Sequence, residues 1–233
     1  MLTVDFRKLD IRPGMRVLDA GCGSGRHIGT VYKRDGIDAV GVDLNCEDLQ
    51  KTRFALNLSQ GPKSGSWLIA RSDVTGLPFK DEAFDLVICS EVLEHIHDNR
   101  TAVRELFRVL RPGGSLVVSV PRFFPERICW ALSEGYYSEP GGHIRIYRKK
   151  EMLALLTGGG ARCTAIAYKH GLHAPYWWLK CLVGHKREDS LPVNLYKKFL
   201  EWDIIKHPPL TRMLEWMLNP LIAKSVVFYL RKG

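Results

Sequence analysis

The sequence predicts an α/β fold, a parallel sheet with helices on both faces, and three observations carry that expectation. Short apolar runs alternate with amphipathic stretches of helical length through the first half of the chain. The first of those runs leads straight into "GCGSG", residues 21–25. The chain then closes on "SVVFYLRKG" after a long helical stretch, which makes that stretch an insertion before a last strand rather than a tail.

The expected strands of the first half are 15–19 (MRVLD), 38–43 (DAVGVD), 66–71 (SWLIAR), 84–89 (FDLVIC) and 114–120 (GSLVVSV). Between them, 26–34, 46–59 and 98–110 read as helices. In "DNRTAVRELFRVL", Val103, Leu106, Phe107 and Leu110 share one face, and the following "RPGG" is a helix stop. The second half continues with an aromatic loop-helix segment over 121–147, a helix over 148–157 ended by "GGG", and a strand over 162–169. Residues 171–223 read as helical pieces broken by the prolines at 175, 192, 208, 209 and 220. One domain is expected over residues 1–233, with 1–121 holding the ligand and 122–147 and 171–223 covering the substrate.

Composition supports a folded chain. The 233 residues are 45% hydrophobic with 21 Gly and 12 Pro, which suits a globular domain and excludes collagen-like or mostly disordered chains. The net charge of +9 divides unevenly: residues 1–120 hold 16 basic and 16 acidic side chains, and residues 121–233 hold 18 and 9. Five of the six tryptophans, 130, 177, 178, 202 and 216, lie in that basic half, which points it toward something anionic, amphipathic or both. The six cysteines are scattered without a CxxC, so neither a zinc knuckle nor a disulfide framework is indicated and reduced thiols are expected. "MLTVDFRKLD" has no apolar leader core, and no apolar run approaches the roughly 18 residues of a membrane span. The expected location is cytoplasmic, soluble or peripheral to a membrane.

In such a sheet, ligands bind at the carboxyl ends of the strands. Gly21, Gly23 and Gly25 let the chain turn sharply after the first strand and approach a ligand more closely than a Cβ allows. Asp43 closes the second strand in "GVDLN", where a carboxylate accepts from the two hydroxyls of a ribose. Asp73 in "RSDVTGLPF" is placed for an exocyclic adenine amine, with Val74 against the ring, and Asp19 stands at the mouth of the glycine loop, suited to an ammonium. Three carboxylates around one strand end disfavour a pyrophosphate and favour a cationic, ribose-bearing ligand.

Together these stretches resemble the class I S-adenosylmethionine-dependent methyltransferases. "VLDAGCGSG", "GVDLN", "SDVTGLPF", "FDLVICSEVLEHI" and "LRPGGSLVVSVP" match the five motifs of that family, in order, over residues 15–121. The similarity is greatest to the small-molecule and lipid-quinone methyltransferases. It implies a Rossmann-like seven-stranded sheet of order 3-2-1-4-5-7-6, strand seven antiparallel and supplied by 225–231, with S-adenosylmethionine as cofactor and S-adenosylhomocysteine as product. It also implies Asp19, Gly21, Gly23 and Gly25 around the methionine moiety, Asp43 and Leu44 at the ribose, Asp73 and Val74 at the adenine, and Ser90 on the inner wall. Arg26 and His27 either reach the methionine carboxylate or only start the next helix.

Methyl transfer is an in-line displacement at a sulfonium carbon, so it asks the protein for orientation, desolvation and, for an O–H or acidic C–H acceptor, a base. His95 in "EVLEHI" and His143 in "GGHIRIY" are the candidate catalytic residues. Glu94 and His97 read as parts of a structural turn. "EVLEH" with a later histidine also resembles the metal site of small-RNA 2′-O-methyltransferases and ubiquinone-pathway O-methyltransferases, which maps to Glu91, Glu94, His95 and His143. "HIRIY" departs from those families after the histidine, and no metal is expected.

Phe123, Phe124, Trp130, Tyr136, Tyr137, Tyr176, Trp177 and Trp178 suit an apolar lid over a hydrophobic small-molecule or lipid-like acceptor. "LYKKFLEWDIIK" and "LTRMLEWMLNPLIAK" interleave apolar and basic residues. That pattern belongs both to helices in a membrane interface, which makes peripheral membrane contact an expected partnership, and to helices packed on their own domain. "CSEVLEH" stands where methyltransferases of base amines carry N/D-P-P-Y, so nucleic acid is not the expected partner. An RNA methyltransferase and a catalytically inactive cofactor-binding partner subunit remain as alternatives.

Overall fold

The computed structural model describes residues 2–59, 64–139 and 141–233. Seven strands, β1 (Arg16–Ala20), β2 (Ile37–Asp43), β3 (Gly65–Arg71), β4 (Phe84–Ser90), β5 (Leu110–Pro121), β6 (Arg162–Lys169) and β7 (Ser225–Arg231), form one sheet. Its order is β3-β2-β1-β4-β5-β7-β6. β1 to β5 are mutually parallel, and β7 runs antiparallel between β5 and β6. This is the Rossmann-like arrangement that the motifs imply.

Successive side chains of a strand face opposite sides of a sheet, and here both sides are buried. On one face Leu18, Val40, Val87, Leu116 and Phe228 pack under α3 (Asn99–Val109) and α6 (Lys149–Thr157), through Leu106, Met152 and Leu156. On the other, Val17, Ala39, Ile88, Val117 and Val227 pack under α1 (Arg26–Tyr32) and α2 (Cys46–Leu58), through Ile28, Val31, Leu49 and Leu56. Buried strands of this kind read as continuous apolar runs, as "VVFYL" does. The caps follow the sequence: Asn45 Oδ1 accepts from Glu47 and Asp48 N–H, and Asp98 Oδ1 accepts from Thr101 N–H.

The second half adds α4 (Phe123–Leu132) and α5 (Glu134–Tyr137) after β5, and α7 (His173–Val183), α8 (Leu191–Lys206) and α9 (Pro209–Ile222) between β6 and β7. Two expectations are corrected. β5 begins at Leu110 rather than 114: Leu110 pairs with Phe84, Ser115 with Leu86, and "RPGG" is absorbed as a bulge. The prolines of 171–223 start helices more than they break them, since Pro192 lies in the first turn of α8 and Pro208 and Pro209 are the N-cap and first residue of α9. A missing N–H is harmless there. Pro220 lies inside the last turn of α9, and α8 ends instead at His207, whose φ is 48°.

Phe228 is fully buried in the middle of β7. Phe228→Ala is expected to cost about 3–5 kcal/mol through lost burial and the cavity left behind, measured as the shift in urea unfolding.

Candidate active site

The loop from β1 to α1 builds one wall of a cleft. Gly21, Gly23 and Gly25 hold φ of 76°, 50° and 82°, the left-handed region that other residues avoid. A Cβ on Gly21 would stand 2.3 Å from Val92 and one on Gly25 2.7 Å from Thr52, whereas one on Gly23 would meet nothing within 4 Å. Gly23 therefore turns bare backbone toward open space. Asp43, at the end of β2, fixes the loop: Gly23 N–H donates to its Oδ2 and Asn45 N–H to its Oδ1, both at 2.8 Å. Thr52 Oγ donates to Gly23 O at 2.7 Å from the opposite side.

The cleft has a volume of about 340 Å³. Of the expected residues, it brings together Gly21, Gly23, Asp43, Leu44, Asp73, Val74, Ser90 and His95, with Arg26 and His27 also on the wall. Asp73 Oδ1 accepts from Thr75 N–H at 2.8 Å, which orients its carboxyl, and Val74 is buried beside it.

Asp19, Gly25 and His143 are not among the residues of that wall. Gly25 is the N-cap of α1, packed on Thr52. Asp19 is 1% exposed and lies beneath the loop instead of at its mouth, because this end of β1 is covered on both faces. Its Oδ2 accepts from Ile28 N–H at 2.9 Å, while Oδ1 has no partner among the described residues. Burial raises its pKa to about 7, against the opposing hydrogen bond from Ile28.

At the end of β4 the backbone departs from ordinary geometry: Glu91 has φ 57°, uncommon for a residue with a Cβ. Its Oε1 accepts from Ser119 Oγ at 2.8 Å, and Ser90 Oγ lies 2.8 Å from the same Ser119 hydroxyl. Burial raises the pKa of Glu91, and the Ser119 hydrogen bond opposes it. Glu94 is fully buried, and neither carboxyl oxygen has a hydrogen-bond partner among the described residues. Burial, and then the Glu91 charge, hold its pKa well above the usual range. Tyr147 closes the turn behind it, donating to Leu93 O at 3.0 Å.

His143 lies against this turn. Ile144 N–H donates to Glu94 O and His95 Nδ1 donates to Gly142 O, both at 3.0 Å. The two imidazole rings meet edge to face, 5.0 Å between centroids. His143 Nδ1 donates to Glu126 Oε1 at 2.5 Å, and Lys224 Nζ donates to Glu126 Oε2 at 3.3 Å. Burial works to raise the pKa of Glu126, but the hydrogen bond from His143 and the charge of Lys224 together carry it to about 2. Burial, with His143 nearby, lowers that of His95. A carboxylate on Nδ1 orients the ring and, in a neutral imidazole, places the proton on Nδ1.

Sequence reasoning missed Glu126, Ser119 and Lys224. Glu126 had a signal, as the only acid in "PRFFPERICWALS", within the first turn of an aromatic helix. The aromatic residues also divide. Tyr136 stands 6.3 Å from His143 and 5.8 Å from Trp177, and Trp178 Nε1 donates to Pro125 O at 3.0 Å, so these three knit α4, α5 and α7 around the Glu126 pair. Trp130 packs on Tyr137, Tyr176 on Tyr196, and Phe123 lies under Arg148, while Phe124 is exposed.

The Asp19 carboxyl gives a pH prediction. Its folded pKa of about 7 exceeds the unfolded value of about 3.9, so the folded state binds the extra proton. That contribution is complete below the unfolded pKa and is lost as pH rises through the folded one. Without ligand, wild type is expected to lose more stability than Asp19→Asn between about pH 4 and about pH 8, read from urea midpoints.

Comparisons with known proteins agree with this geometry. A methyltransferase domain family model matches residues 18–118. The methyltransferase GfsG of Streptomyces halstedii is 30% identical over 133 residues, 56% of this chain and 47% of that protein. Cycloartenol-C-24-methyltransferase 1 of Oryza sativa subsp. japonica is 32% identical over 146 residues, 62% of this chain and 39% of that protein. The chain thus spans less than half the length of either relative. An S-adenosylmethionine-dependent methyltransferase structure from Mesorhizobium loti shares the fold with a TM-score of 0.62 at 19% identity, covering 97% of this chain and 94% of that one. The domain over residues 18–118 belongs to the class I S-adenosylmethionine-dependent methyltransferases.

Proposed function

We propose that this chain transfers a methyl group from S-adenosylmethionine to a hydrophobic small-molecule or lipid-like acceptor, with His143 as the base and Glu126 as its positioning residue. Family and fold imply the cofactor, and the residues present fit it. The cleft of about 340 Å³ falls within the roughly 300–1,000 Å³ range of small-molecule sites. Each Asp43 oxygen takes one backbone N–H and keeps a lone pair for a ribose hydroxyl, and Gly23 leaves room for close approach. When bound, the cofactor supplies an electrophilic methyl group on a sulfonium.

The observation that carries the reading is the Glu126–His143 pair beside His95, a residue of the cleft wall. His143 Nε2 would take a proton from the acceptor while the buried Glu126 carboxylate stabilises the resulting imidazolium. Tyr136 and Trp177 exclude water from that proton transfer and favour an apolar acceptor. The relative named for cycloartenol methylation supports that acceptor class.

A second reading has its own observation. Glu94, His95 and His143 offer donor atoms within 4.8 Å of one another, and both oxygens of buried Glu94 lack a partner among the described residues. A divalent cation held there would acidify a hydroxyl acceptor. Stoichiometric metal in the purified protein, lost with Glu94→Gln, would favour this reading over a free His143 base.

Asp43→Ala removes two hydrogen bonds to the ribose and the anchor of the Gly23 loop. Affinity for S-adenosylmethionine is expected to fall by about 2 kcal/mol or more, roughly thirtyfold, by calorimetry. His143→Ala is expected to lower turnover, read as S-adenosylhomocysteine release on sterol and quinol acceptors, by about 10²–10⁴-fold with cofactor affinity unchanged. Glu126→Gln should shift its pH profile. Intact cofactor binding without release on any acceptor would support the partner-subunit alternative.

A further inference from the structure

The helix α9 is inside out, and α8 before it also exposes an apolar stripe. Along α9 the polar side chains are the ones tied to the protein: Arg212 pairs with Asp203 of α8 and with Glu215, and Asn219 Oδ1 accepts from Gly171 N–H at 2.8 Å. The apolar side chains face away. Leu210, Met213, Leu214, Met217 and Leu221 are all exposed, and their i, i+3, i+4, i+7 and i+11 spacing sets them in one stripe. Beside it, Trp216 is 76% exposed.

The preceding helix buries Val193 and Leu200, yet it too turns an apolar stripe outward. Asp203 is buried, whereas Leu191, Leu195, Trp202 and Ile205 are exposed at i, i+4, i+11 and i+14, with Lys198 filling the i+7 place. Single exposed leucines are ordinary, but two consecutive helices that hold an ion pair inward and Leu, Met and Trp outward present a surface.

Charge selects its occupant. The other exposed charges of α8 are Lys197 and Lys206, against Glu201, and the chain's whole basic excess lies in residues 121–233. Two copies meeting through this face would bring like charges together. An anionic bilayer instead accepts the apolar stripe at its acyl boundary, while lysines reach headgroup phosphates and tryptophans sit at the wet edge. Among the described residues, no helix is long and apolar enough to cross a membrane, so these helices would lie in the interface.

We propose that α8 and α9 form a docking surface for an anionic phospholipid bilayer. The inference goes beyond methyl transfer and does not depend on it, since no part of its test uses the cofactor. Wild type and a Trp216→Ser/Met217→Ser double variant are sedimented with phosphatidylcholine vesicles, with and without phosphatidylserine. Wild type should co-sediment with the phosphatidylserine vesicles, and the variant should lose about tenfold or more of that affinity with an unchanged circular dichroism spectrum and melting curve. Lys197→Glu/Lys198→Glu should lose the preference for phosphatidylserine. Wild type left in the supernatant with both vesicles, or a Trp216→Ser/Met217→Ser variant that binds as tightly, overturns the proposal. A lipid-free dimer dissociated by that variant overturns it too, and makes the face an interface between copies.

Discussion

The site depends on a backbone that only glycine takes up readily, held by one carboxylate. Three of the five residues between β1 and α1 are left-handed, and such a loop has many alternatives unless something outside it removes them. Asp43 does so by accepting from Gly23 N–H. The contact joins the ends of two neighbouring parallel strands, so the register between β1 and β2 becomes the geometry of the cleft wall. A group that fixes the loop and also lines the cleft ties folding to the shape of the site, and the two are not separable by substitution at that position.

The sheet is legible because its central strands are buried on both faces and its turns carry distinctive residues: buried β7 matches the expected 225–231, the partly exposed edge strand β6 matches 162–169, and the three glycines announce the loop. What escaped was non-local or decided by packing. Glu126 and His143 are 17 residues apart and meet only because α4 and the 142–144 loop converge at the end of β4, which no periodicity encodes. Asp19 matches a motif, yet whether a strand-end carboxylate faces the ligand or lies beneath it depends on how the next helix is seated. Prolines were read as breaks because the exclusion of proline from helix interiors is stronger than its tolerance at helix starts.

The end of β4 concentrates charge that a stable interior would avoid. Glu91, Glu94 and Glu126 converge there with Lys224 as the nearest cation. Glu94 and Glu126 are buried from water, and their protonation divides: Glu126, with His143 and Lys224, stays ionised, whereas Glu94 is pushed toward the neutral acid. Neighbouring carboxyls driven in opposite directions are a mark of sites that move protons. The strained φ of Glu91 fits the same account, since it goes with a side chain bonded to Ser119 while Glu91 stays on the cleft wall between Ser90 and His95.

Lys224 couples the two halves of the chain. It stands in the short connection between α9 and β7, with its ammonium on Glu126 and 5.0 Å from the centre of the Trp177 ring. Arg122, at the end of β5, donates to the carbonyls of Asn219 and Pro220 in the last turn of α9. A displacement of α9 is therefore passed along the chain to Lys224, which with His143 holds Glu126 ionised, and through Arg122 to the end of β5. If the outer face of α9 rests on a bilayer, seating the helix would act on the Lys224–Glu126 pair, so that surface attachment reaches the side chains around His143.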